Sequence, residues 1–136
     1  MIRRILIAYQ ILIGLSDTFT GALLVIAPVF TLRLMGLQAP ADALPYLSFI
    51  GAFVLSVGLA CLYGARVMIL RGSPCQLETV WLLTAITRAS VAIFVVVQVL
   101  AHTLPAGWLT VAVPDGACVL IQAVGLRKGW LAYVAR

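Results

Sequence analysis

Residues 77–101 read LETVWLLTAITRASVAIFVVVQVLA, with Glu78 at the start and a single further charge, Arg88, at the middle. About 20 apolar residues in a helix cross the ~30 Å hydrocarbon core of a bilayer, and this run exceeds that. Three more apolar runs of like length flank it, at 5–28, 44–65 and 106–126. The chain has 136 residues, 64% of them hydrophobic and 10% charged, with a mean hydropathy of +1.17. Soluble domains carry roughly 25% charged residues. The four runs leave no length for a separate soluble domain. The expectation is all-α: one domain over residues 1–136, a bundle of four transmembrane helices.

The net charge of +5 and a pI near 9.6 do not point to nucleic acid, because the basic residues are placed for topology. Arg3, Arg4, Arg66, Arg71, Arg127, Lys128 and Arg136 fall on one side of a four-span chain, and Arg33 on the other. The positive-inside rule puts the side rich in arginine, with both termini, in the cytoplasm. The expected location is the cytoplasmic (inner) membrane, with lipids and a homo-oligomer or larger membrane complex as partners, and no nucleic acid. Met1-Ile2-Arg3-Arg4 opens like a signal peptide. The apolar run behind it is longer than an h-region and contains Asp17, which predicts a retained first helix.

Pro28 stops the first span, and Val29–Leu37, with Arg33 among apolar residues, reads as a short amphipathic segment at the outer interface. The second span carries small residues four apart: Ser48, Ala52, Ser56, Ala60 and Gly64, with Gly51 and Gly58 beside them. Such a face permits close helix approach in lipid, against a neighbour within the chain or across an oligomer interface, with the first favoured. Ser73-Pro74-Cys75-Gln76 has the pattern of a capping box with proline at the first helical position. His102 closes the third span. Pro114 interrupts the fourth and predicts a kink there. Trp130 and Tyr133 among Arg127, Lys128 and Arg136 read as an interfacial anchor, and Trp81, Trp108, Tyr46 and Tyr63 fall near headgroup levels.

The residues that bear on function are the charges the bilayer should exclude. Asp17, Arg88 and Asp115 each lie near the middle of a different span. One such group at a helix centre costs about 2.5–3.5 kcal/mol on insertion scales. At ~1.5 Å per residue the three share a plane within a few ångströms, so they are expected to meet as an Asp–Arg–Asp cluster. Gln10, Gln122, Thr84 and Trp81 fall on the same faces toward the cytoplasm, whereas Leu24, Val95 and Val111 lie above. This predicts a polar crevice open inward and plugged outward. Cys61, Cys75 and Cys118 form no C-x-x-C pair and give no metal-ligand spacing.

The stop at Pro28 with Leu32-x-Leu34-Met35-Gly36-Leu37 behind it, the run Gly51-Ala52-x6-Leu59-Ala60, an Arg in the third span and an Asp in the fourth together resemble the DoxX-like group of small bacterial membrane proteins. The resemblance covers nearly the whole chain and implies a four-helix bundle of the bacterial inner membrane. Some members of that group are membrane subunits of oxidoreductase complexes that deliver electrons to quinone. Asp17 has no counterpart among the family's motifs, and the sequence names no cofactor.

With no nucleophile–base pair or glycine-rich phosphate loop, the sequence leans away from an enzyme. It favours a non-catalytic structural or accessory membrane component pinned by the midplane cluster. The alternative is an inward-open binding or transport protein for a small or lipophilic ligand, coupled to protons, with Arg88 as anchor and an Asp as proton carrier.

Overall fold

The computed structural model describes the backbone of residues 2–135 and the side chains of 2–133; Arg136, expected in the basic anchor, lies outside them. The described residues are helical and contain no strand. Their elements are α1 (Ile2–Ile26), α2 (Pro28–Leu34), α3 (Leu44–Ile69), α4 (Pro74–Leu100), α5 (Leu109–Arg127) and α6 (Ala132–Ala135), with 3-10 turns at Ala41–Ala43 and Ala106–Trp108. Four of the helices, counting those two turns with α3 and α5, are long and apolar enough to cross a membrane. The fold is a four-helix membrane bundle. α1 begins three residues before the expected span, and α3 runs on past Arg66 to Ile69, since a terminal arginine can face the headgroups without ending the helix.

Each helix starts and stops for local reasons. Pro28, Pro45 and Pro74 sit in the first turns, where a missing N–H leaves nothing unsatisfied. Ser73 is the N-cap residue of α4, but its side chain makes no capping hydrogen bond, so the expected capping box does not form. The stops share one geometry. Leu37, Gly72, Thr103 and Trp130 each donate a backbone bond to the carbonyl five residues back, at 2.8–3.0 Å. The residue before each has positive φ: Gly36, Arg71, His102 and Gly129. This is the Schellman stop, and two of its four left-handed positions are not glycine.

The packing is unequal around the bundle. α1 lies along α3, α4 along α5, and α3 against α4, but α1 has no comparable backbone seam with α4 or α5. The α1–α3 seam is built on glycine. A Cβ on Gly21 would sit 2.3 Å from Leu55 N, and one on Gly58 2.4 Å from Thr18 N. Gly51 meets Leu24 and Val25 in the same way. The predicted ladder is not this seam as a whole: Ala52 and Ser56 are exposed, and only at Gly64 does it come back to α1, against the Gln10 side chain. Steps of four residues turn about 40° each around a helix of 3.6 residues per turn, so a long ladder of fours winds off any straight partner. The step of seven from Gly51 to Gly58 turns only about 20°.

Where backbones stand apart, large side chains fill the space. At the arginine-rich end Leu6, Val67, Met68, Leu77, Trp81 and Leu131 make one buried apolar cluster. Arg3 donates to the carbonyls of Met68 and Ile69, tying the start of α1 to the end of α3. Leu131 brings the tail back under the bundle, so the segment expected to be an anchor forms a floor. At the opposite end, called here the Pro40 end, Leu32, Leu37 and Leu47 form a smaller cluster joined by Trp108. Many apolar side chains elsewhere, among them Phe19, Phe49, Phe53, Phe94 and Leu120, are exposed and point outward.

Candidate functional site

Between the two apolar clusters the bundle is inside-out. Among the described residues the buried polar side chains are Gln10, Thr31, Thr84, Arg88 and Gln122, while large apolar groups such as Phe19, Phe53, Phe94 and Leu120 face outward. Water would reverse that pattern. A lipid solvent accepts apolar groups outside and drives charge to the interior.

Arg88 on α4 is the centre of the arrangement. Its Nη1 donates to Asp115 Oδ1 on α5 and its Nη2 to Asp17 Oδ2 on α1. The guanidinium therefore bonds both helices that the backbone packing leaves apart. The Arg88 side chain is 6% exposed, against 20% for Asp17 and 16% for Asp115. The three charges predicted at mid-span are thus brought together, with two carboxylates on one cation. Thr18 places its backbone on Gly58 and so fixes the register at which Asp17 is presented.

A second polar layer lies toward the arginine-rich end. Trp81 Nε1 donates to Gln10 Oε1 at 3.0 Å, joining α4 to α1. Gln122 Nε2 donates to Thr84 Oγ1 at 2.9 Å, joining α5 to α4. All four residues predicted for this layer therefore pair. They do not line an open crevice: Gln10 and Gln122 are each 1% exposed, Trp81 is 0% and Thr84 is 3%. The floor cluster closes the route to the arginine-rich end, so the opening expected on that side is replaced by an occluded polar core. The physical reason is Trp81. It does not sit in a headgroup belt; its ring fills the interior, accommodated where Gly125 has no Cβ, which would lie 2.5 Å from it. On the other side Leu24, Val95 and Ala112 are buried, as an outer plug requires, with Val111 half-buried. Surface recesses open at the Pro40 end, one lined by Val99, His102 and Pro105, another by Arg33, Leu37 and Leu44, and neither includes the triad.

Three residues not singled out by the sequence belong to the same core. Tyr9 packs edge-on to Trp81, with ring centroids 6.0 Å apart. Cys61 on α3 and Cys118 on α5 are buried, and all three lie within electrostatic reach of Arg88. For Cys118 the signal was present: it stands three residues after Asp115 and four before Gln122, on one helical face. Cysteine's apolar character hid it.

Chemically, the site offers a fixed cation, two acidic groups and two amides inside an apolar shell. Comparison with models of known families, with curated proteins and with solved structures finds no match to this chain.

Proposed function

We propose that this small membrane protein is a non-catalytic structural or accessory component whose two helix pairs are clasped by Arg88. One observation carries the reading: the guanidinium, bonded to Asp115 within the packed α4–α5 pair, also bonds Asp17 across the side where α1 has no backbone seam with α4 or α5. Breaking such a buried network by removing one member costs about 3–5 kcal/mol, because the remaining charges are stranded. The charge asymmetry supports an orientation with both termini in the cytoplasm, and the bacterial inner membrane rests on the DoxX-like resemblance alone. The DoxX-like motifs of the sequence belong to the same proposal.

A second reading rests on stoichiometry. Two carboxylates face one guanidinium, and both are partly exposed while Arg88 is not. The cluster accommodates one proton or one further cation, and an acid pair of this kind titrates as a unit. That is the chemistry of a proton-coupled binding or transport protein.

Paired measurements on Arg88→Gln and on Arg88→Gln with Asp17→Asn and Asp115→Asn separate the two. If the cluster only clasps helices, the single change lowers thermal stability in detergent and the triple change recovers both stability and cellular complementation. A triple variant that is stable but fails to complement overturns the clasp and favours the proton-coupled reading, since amides carry no proton.

A further inference from the structure

The second polar layer and the Arg88 clamp beside it contain buried hydrogen-bonding atoms that the protein itself does not partner. Among the described residues these include Gln10 Nε2, Gln122 Oε1, Tyr9 Oη and Arg88 Nε. The two amides cannot be turned to remove the problem. Trp81 Nε1 only donates, so it must meet Gln10 Oε1, which leaves the Gln10 NH2 free. Thr84 Oγ1 donates its proton to the Val80 carbonyl at 2.7 Å, so it accepts from Gln122 Nε2, and the Gln122 carbonyl is left free. Arg88 Nη1 and Nη2 are likewise taken by carboxylates, leaving Nε–H. Gln10, Gln122 and Arg88 are all at least 95% buried.

The free groups are complementary. Gln10 and Arg88 offer donors, Gln122 offers an acceptor, and the Tyr9 hydroxyl can act as either. They do not bond one another directly. An apolar occupant would leave every one of them unsatisfied in a medium where that is costly. An ion would find amides of both polarities and no counter-charge beyond the triad. What fits is a small neutral species that both accepts and donates. Buried water characteristically makes two to four such bonds.

We propose that the core between the Arg88 clamp and the Leu6–Met68–Leu77–Leu131 floor is an internal water-binding site. Water there accepts from Gln10 Nε2 and Arg88 Nε and donates to Gln122 Oε1, with Tyr9 Oη at its margin. The site is occluded, closed inward by the floor and outward by Leu24, Val95 and Ala112. It does not depend on whether the clamp serves as a clasp or as a proton carrier.

The test is X-ray hydroxyl-radical footprinting of the wild-type protein in lipid nanodiscs, read by mass spectrometry. Radicals arise from bound water in place, so Tyr9 and Cys118 should be oxidised within a few-fold of the exposed Tyr46. Met68, fully buried in the apolar floor, should stay unmodified although a thioether is intrinsically more reactive than a phenol. Gln10→Met with Gln122→Met keeps the volume and removes the polar atoms, and should reduce Tyr9 labelling about fivefold or more without changing Met68. Tyr9 and Cys118 as protected as Met68 in the wild type would overturn the proposal, whatever the variant does. Reaction of Cys118 with a bulky cationic thiol reagent, which an occluded site excludes, would also overturn it by showing an open channel.

Discussion

A guanidinium that bonds two carboxylates on two other helices is harder to replace than either acid. Either aspartate can become asparagine and still accept from Arg88, whereas loss of the cation strands both acids together. Arg88→Met should therefore lower unfolding stability in detergent by about 3–5 kcal/mol, and Asp115→Asn by clearly less, as measured by thermal melts at fixed detergent. Equal effects would mean that the charge pairing is not what holds the helices. A second residue-scale outcome concerns His102, which holds φ 59 at the helix stop with a Cβ that disfavours it. His102→Gly should raise stability by about 1 kcal/mol, as should Arg71→Gly, because glycine adopts that conformation without the steric cost. At this scale the sequence was informative where charge stood out. Asp17, Arg88 and Asp115 could be found from depth alone, and Gln10, Thr84 and Gln122 from helical spacing. Tyr9 and Cys61 could not, since a tyrosine or cysteine in an apolar run looks like packing until the partner helix is placed beside it.

At the level of elements, the α1–α3 seam is the most demanding contact in the bundle, because its neighbours are backbone atoms that cannot rotate away. Gly58→Ala puts a methyl 2.4 Å from the Thr18 amide and 2.9 Å from the Asp17 carbonyl carbon. It should separate the helices and cost about 1–3 kcal/mol, and it should also disturb the Asp17–Arg88 bond. Ala52→Leu on the exposed face should leave the monomer's melting temperature within a degree or two, a change of less than about 0.5 kcal/mol. Comparable losses from the two substitutions would return the ladder of fours to the seam. The spans themselves were legible to within a few residues, since length and apolarity set them. Which face of α3 meets α1 was not, because small residues lie on two of its faces and the sequence does not say which one the neighbour occupies. The closed floor was hidden for a similar reason. It depends on Leu131, a tail residue, folding back onto Leu6 and Leu77.

For the molecule as a whole, the asymmetry of charge and the burial of thiols combine into a direct test of orientation. Cys75 is exposed at the arginine-rich end, while Cys61 and Cys118 are buried. In intact cells a membrane-impermeant maleimide should fail to label the wild-type chain, and in inside-out vesicles it should label Cys75 alone. A cysteine placed at Gln38 should show the reverse. Labelling of Cys75 from outside would invert the orientation drawn from the basic residues.

The clasp also has a history in time. Asp17 and Arg88 are 71 residues apart in the chain, which at roughly 5–20 residues per second is roughly 4–14 s of synthesis. Throughout that interval the first helix carries an acid at its middle and has no cation to meet it, and Asp115 has yet to be made. The newborn first helix is therefore bound to wait, either sheltered by the insertion machinery or riding shallow in the interface, until the third long helix arrives. A ribosome stalled just past Ile69 would leave a chain that has its glycine seam but not its counter-charge. Such a fragment carries a mid-span acid with no partner, and it should be degraded faster than the full chain, which a pulse-chase of the two would show.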